Sequence, residues 1–167
     1  MGDCYLCLAK AKLIEELPSF LFAYFLQRGI PFYCLCIGTE ITVSGMRATV
    51  RVPDLMVLTE ELAQVMEGAS RSIVMLDMPA PQLVVEVVSP GKENEERDYS
   101  YKRSQYQARG IAEYWIVDPI KQQITVLSLV AGLYEEAVFA GEDKIASGLL
   151  SKLNPDSVLT AGQVLQK

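Results

Sequence analysis

The first long apolar block runs from Leu13 to Ile37 and is interrupted by Glu15, Glu16, Pro18, Gln27, Arg28 and Pro31. Inside it, Phe20, Leu21, Phe22, Ala23, Tyr24, Phe25 and Leu26 are apolar almost all round. Pro18 suits the first turn of a helix and Gly29 its end, so the pattern predicts a helix between them. A helix of that kind is either buried in the core or shared with a second subunit. The segment Phe32-Tyr-Cys-Leu-Cys-Ile37 reads as a strand. Two β-rich runs follow, Glu40 to Val43 and Ala48 to Leu58, with Ser44-Gly45 as a hairpin-like turn. Thr59 to Gly68 is a short helix, and a looser stretch leads to Pro81.

Leu83-Val-Val-Glu-Val-Val88 is an unbroken β-branched run with one acid inside it, the mark of a central strand covered on both faces. Ser89-Pro90-Gly91 ends it. Lys92 to Arg109 is a charged helix stopped by Gly110. Glu113 to Val117 is a second buried strand, closed by the turn Asp118-Pro119. Ile124 to Leu129 and Tyr134 to Phe139 form a meander around Gly132, and Gly141-Glu-Asp143 turns the chain toward a last short strand near Ile145. The order of elements predicts an α/β fold, a mixed sheet with helices packed against it. No internal repeat or low-complexity linker divides residues 1–167, so a single domain is expected.

Composition narrows the chemistry. The chain has 167 residues and no histidine, which removes Ser-His-Asp and Cys-His nucleophiles, His-metal sites and the ordinary general base near neutral pH. The net charge of −6 is the reverse of the basic balance that sequence-independent nucleic-acid binding usually shows. It leaves open an enzyme that meets a phosphodiester through metal ions. No clean apolar run reaches the roughly 18 residues a spanning helix needs, and the start Met1-Gly-Asp-Cys lacks the basic region of a signal peptide. A cytoplasmic protein without a membrane partner is the expectation. Cysteines 4, 7, 34 and 36 could form a thiolate metal site, but Cys34-x-Cys36 lacks the turn residues of a zinc knuckle, and packing is the favoured role.

Glu86 is the chemical anomaly. By alternation it shares a face with Val84 and Val88, where an ionised carboxylate costs several kcal/mol unless donors or a cation compensate it. Asp54 follows Pro53 and leads into Leu55-Met-Val-Leu58, sharing a face with Met56 and Leu58. Two such acids suggest a shared cation; each alone is equally well a loop cap or an ion-pair partner. On the following helix Asp98, Lys102 and Tyr106 are four apart and lie on one stripe. That stripe is either a solvated face or one that turns Lys102 toward Glu86.

The strings Val52-Pro-Asp54-Leu-Met-Val, Leu83-Val-Val-Glu86-Val-Val-Ser89-Pro90, the Asp98/Lys102/Tyr106 stripe, and Gly110-Ile-Ala-Glu-Tyr-Trp-Ile-Val-Asp118-Pro119 occur in this order. Together they resemble the Uma-two family of restriction endonuclease-like proteins, within the PD-(D/E)XK nuclease superfamily. The resemblance runs from about Pro53 to the C-terminus and implies a restriction endonuclease-like fold. It implies Asp54 and Glu86 as ligands of Mg²⁺, with Mn²⁺ as an alternative, and the carbonyl of Val87 as a further ligand. The superfamily lysine would fall at Val88; Lys102 takes its place in the family. Glu16, beside Glu15, is the nearest match to the acid that a first helix contributes in many superfamily members. Ser89, Asp98 and Tyr106 are accessory candidates. Family members usually carry strand-forming sequence ahead of the first helix, whereas this chain begins almost at it, and a homodimer would cover surface left open there. The implied activity is metal-dependent hydrolysis of nucleic acid, DNA first. A catalytically inactive nuclease fold acting in protein or nucleic-acid interaction, and a homodimeric scaffold, are the alternatives.

Overall fold

The structure is a computed structural model that describes residues 2–45, 48–68, 72–91, 97–153 and 158–166; for 2–11, 13, 97 and 98 the description is of backbone alone. The chain opens with helix α1 (Gly2–Gln27), which runs straight through Pro18. The helix therefore begins well before the proline, contrary to the sequence expectation. A proline inside a helix costs about 3 kcal/mol. It is tolerated because Leu17, Leu21 and Phe25, one turn apart on either side of it, are all fully buried.

A 3₁₀ turn (Phe32–Cys34) then leads into β1 (Leu35–Cys36), so the expected strand from Phe32 is reduced to its last residues. The strands β2 (Glu40–Thr42) and β3 (Val50–Arg51) pair antiparallel, and β5 (Ile73–Val74) joins β2 in parallel to make a small three-stranded sheet. The run from Ala48 to Leu58 is not one strand. Pro53 lacks an N–H and ends the first ladder, and β4 (Leu55–Val57) belongs to the main sheet instead. Helix α2 (Glu60–Met66) starts where the Thr59 hydroxyl accepts the Leu62 N–H.

The main sheet has six strands in the order β1-β4-β6-β7-β8-β9, with β6 (Leu83–Val87), β7 (Glu113–Asp118), β8 (Gln123–Val130) and β9 (Leu133–Ala140). Strands β6 and β7 run parallel, and the other pairs are antiparallel. All five residues of β6 and all six of β7 are buried, as expected of strands covered on both faces. The crossover between them is a π-helical turn (Arg97–Lys102) that continues as α3 (Arg103–Arg109). Gly110, at φ +78°, ends α3 in the left-handed conformation that a side chain resists.

The expected last strand near Ile145 is a single bridge, Lys144 to Thr160, followed by α4 (Gly148–Leu153) and α5 (Ala161–Val164). Two helical layers enclose the sheet. Phe25 of α1 meets Trp115 on one face, and Tyr106 of α3 meets Tyr114 edge-on at 5.0 Å on the other. No helix among the described residues is long and apolar enough to cross a membrane.

Candidate active site

The register of β4 against β6 pairs Leu55 with Val85 and Met56 with Val84. Carried one step outward, it sets Asp54 against Glu86. One step further stands Pro53, which has no N–H for the ladder, and there the Val87 N–H donates instead to Asp54 Oδ2 at 2.6 Å. The Pro-Asp pair thus ends the ladder and turns a carboxylate onto the backbone just beyond Glu86.

The helical crossover covers the same face. Lys102 Nζ lies 2.6 Å from Glu86 Oε2, with the two side chains only 10% and 3% exposed. The Tyr106 hydroxyl donates to Glu86 Oε1 at 2.6 Å. Both oxygens of the buried acid are therefore engaged from one helix, by residues one turn apart. The stripe is completed above by Tyr99, whose hydroxyl donates to Asp118 Oδ2 at 3.2 Å, and below by Arg109, whose guanidinium donates to the carbonyls of Met75 and Met78.

Burial pushes Glu86 up to about 7, against the opposing pull of Lys102 and of the Lys102 and Tyr106 hydrogen bonds; the Asp54 charge pushes it the same way as burial. Tyr106 is raised well above its ordinary value, first by burial and then by Glu86. It remains a phenol that donates to the carboxylate.

A cleft of about 280 Å³ opens over this cluster, lined by Arg51, Val52, Asp54, Glu86, Val87, Ser89 and Lys102. A larger hollow of about 480 Å³ lies elsewhere, between Tyr33, Cys36, Leu58 and α2, and has no comparable set of buried charges. The cleft brings together five of the sequence candidates: Asp54, Glu86, Val87, Ser89 and Lys102. Tyr106 stands behind them.

Glu16 stands apart from the cleft: it is exposed on α1 and pairs with Lys12 at 3.7 Å, while its neighbour Leu17 is the buried residue. The side chain of Asp98 lies outside the described residues, as do those of Cys4 and Cys7. Cys34 is buried and Cys36 half-buried, both as free thiols, with burial raising each.

Two residues of the site gave no sign of it in the sequence. Arg51 sits on a short strand, and Gln105 lies on α3 between Lys102 and Tyr106, where each has the look of an ordinary surface residue. The Gln105 side-chain oxygen accepts the Arg51 Nε–H at 2.7 Å, and its amide nitrogen donates to the Ala48 carbonyl at 2.8 Å. Among the described residues, no three or more His, Cys, Asp or Glu side chains gather as a metal cluster. Asp54, Glu86 and the Val87 carbonyl make an all-oxygen set. That set suits Mg²⁺, which is commonly held by one or two carboxylates and completes its shell with water and substrate phosphate.

The family model "Uma2: Putative restriction endonuclease" matches residues 9–159. Among solved structures, the chain is similar to "a putative nuclease belonging to DUF820" from Anabaena variabilis. The two are 15% identical, with a TM-score of 0.63 over 94% of this chain and 80% of that one. At that identity the likeness carries the fold alone. Comparison with curated proteins gives no match. With the family pattern spanning residues 9–159 and the mixed, helix-flanked sheet agreeing with it, the chain belongs to the Uma2 family.

Proposed function

We propose that the chain is a divalent-cation-dependent nuclease that hydrolyses a phosphodiester bond of nucleic acid, DNA being the first substrate to test. The observation that supports this reading is the meeting of Asp54, Glu86 and Lys102 at one open cleft, from three separate stretches of the chain. Asp54, Glu86 and the Val87 carbonyl would hold Mg²⁺, or Mn²⁺ in its place. Such an ion lowers the pKa of a bound water and neutralises charge that builds on a phosphate.

The chain's own groups divide the remaining work. Tyr106 fixes one oxygen of Glu86 and Lys102 the other, so the acid enters the cleft in one orientation. The Val87 N–H does the same for Asp54. The Lys102 ammonium, held at the wall of the cleft, is placed to orient the attacking water or to stabilise negative charge as the water oxygen bonds to phosphorus and the ester oxygen leaves. No step requires an imidazole.

A second reading has its own observation. Both Glu86 oxygens already have protein partners, which suits a nuclease fold that has exchanged metal binding for an internal ion pair. One experiment separates the two: cleavage of plasmid and single-stranded DNA with Mg²⁺ or Mn²⁺, beside Asp54→Ala and Glu86→Ala. The nuclease reading expects cleavage that both substitutions abolish. Activity that survives both overturns it. No cleavage and no metal binding by the intact fold favours the second reading.

A further inference from the structure

Arg51 has no role in the reading above, yet it lines the same cleft as Asp54, Glu86 and Lys102. It is half-buried at the end of β3, two residues ahead of the Pro-Asp turn. Among the described residues it makes no salt bridge. Its Nε–H donates to Gln105 Oε1 at 2.7 Å. Guanidinium carries five N–H donors; this contact engages the one on Nε, and among the described residues no hydrogen bond engages the four on the Nη atoms.

Gln105 is itself fixed. It is buried on α3 next to Tyr106, and its amide donates to the carbonyl of Ala48. The loop closes on it tightly: a Cβ at Gly45 would stand 2.5 Å from Gln105 Nε2. Glycine at position 45 is thus what lets the β2–β3 loop approach the residue that orients Arg51. The Arg51 charge also acts on the Tyr106 phenol, against the upward push of burial and Glu86, and Arg51 shares the cleft wall with Glu86.

A guanidinium oriented through Nε, with its outer fork open, is the geometry that takes a phosphate oxygen pair in two parallel hydrogen bonds. We propose that Arg51, positioned by Gln105, binds a phosphate group of the substrate backbone opposite Lys102. This rests on the nuclease reading for the identity of the substrate. The anion site itself is a separate claim with its own measurement. Arg51 would touch the phosphate directly, while Gln105 acts through Arg51 as a positioning residue.

The test compares wild type with Arg51→Met, Arg51→Lys, Gln105→Leu and Gly45→Ala, each checked for an unchanged thermal transition. One arm follows cleavage of a 5′-fluorescein duplex with Mg²⁺. The other follows binding of that duplex and of thymidine 5′-monophosphate with Ca²⁺ in place of Mg²⁺, at several salt concentrations. A lost charge-assisted contact is worth about 10- to 100-fold, so Arg51→Met should weaken binding and kcat/KM by that factor. It should also reduce the slope of log affinity against log salt by about one. Arg51→Lys should recover part of the affinity and the full salt slope, because it keeps the charge without the fork. Gln105→Leu and Gly45→Ala should lower affinity by about 3- to 10-fold with the salt slope intact, since they disturb one hydrogen bond and leave the charge.

If Arg51→Met unfolds, the Gln105 and Gly45 variants decide, and wild-type affinity in both overturns the proposal. Cleavage and binding unchanged in Arg51→Met overturn the proposal and leave the nuclease reading standing. No cleavage by any form, with phosphate binding that still depends on Arg51, supports the anion site and removes the nuclease reading. No cleavage and binding indifferent to Arg51 overturns both.

Discussion

Glu86 gives the metal-free protein a pH dependence whose sign and size follow from its surroundings. Burial in the central strand, opposed by Lys102 and Tyr106, moves its carboxyl from an ordinary 4.5 up to about 7. Between those values the folded chain keeps a proton that the unfolded chain has already released. The stability from this group is therefore fully present below about pH 4.5 and is lost as pH rises through about 7. At about 1.4 kcal/mol per pH unit, the loss reaches about 3 kcal/mol by roughly pH 8.5. The perturbation is Glu86→Gln, which keeps the side-chain shape and has no proton to lose. The assay is guanidinium unfolding of both proteins in EDTA across about pH 5 to 8.5. Lys102 loses its ionic partner in the variant, which sets an offset at low pH. The difference in unfolding free energy, wild type minus variant, should then fall by about 3 kcal/mol over the range. A flat difference would refute the reasoning. A difference that rises with pH would refute it more sharply, because it would mean that Lys102 holds the carboxyl below its ordinary value and that the pair outweighs burial.

Divalent cations should act in the opposite direction: a carboxyl must lose its proton to ligate, so Mg²⁺ or Mn²⁺ should raise the melting temperature more at about pH 8 than at about pH 6. Equal shifts at both values would exclude Glu86 as a ligand. Lys102→Met leaves Glu86 buried without its cation and should cost about 3–5 kcal/mol above pH 7, where the acid is charged, and less near pH 5; melts at the two values check this, and a pH-independent cost would refute it. Glu113→Gln tests the scaffold rather than the site. Glu113 accepts from Trp115 Nε1 at 2.6 Å, from the Ser147 hydroxyl and from the Leu149 N–H, tying β7 to α4. Its loss should lower stability by about 1–3 kcal/mol and leave cleavage kinetics unchanged, so a large fall in kcat with an intact fold would show that the two faces of the sheet are coupled.

What could be read in the chain and what could not divide along the range of the interactions. Glu86 was legible because a strand buried on both faces admits an acid only with compensation, and that rule needs no tertiary knowledge. Helical spacing put Lys102 and Tyr106 on one stripe but left its direction open, and the family resemblance singled out Lys102; both side chains reach Glu86. Gly110 marked its helix end through backbone sterics alone. The start of α1 was not legible, because Pro18 is at home in a first turn. Only the burial of Leu17, Leu21 and Phe25 against the sheet lets it sit mid-helix. The run Ala48 to Leu58 has continuous strand propensity, and its break into two sheets at Pro53 depends on partners far along the chain. Arg51 and Gln105 were invisible for the same reason: 54 residues separate them, and each alone looks like a surface residue.

The charge of the chain then poses a physical problem that the cleft geometry resolves locally. A protein of net charge −6 repels a polyanion at long range, and under physiological salt that repulsion fades within about 8 Å. Near the site, what matters is therefore the handful of groups on the cleft wall. Asp54 and Glu86 are balanced there by Arg51 and Lys102, so a bound divalent cation would turn the cleft positive while the surface around it stays acidic. Other cations of the same helix are committed elsewhere: Arg103 to Glu136 at 2.6 Å, and Arg109 to the carbonyls of Met75, Met78 and Pro79. A nuclease built this way would have a shallow salt dependence, set by one or two phosphate contacts rather than the six to ten of a basic DNA-binding face. It would also have little affinity for nucleic acid when the cation is removed. An acidic composition is thus compatible with phosphodiester chemistry on the condition that recognition is short, cation-gated and confined to the Arg51–Lys102 span.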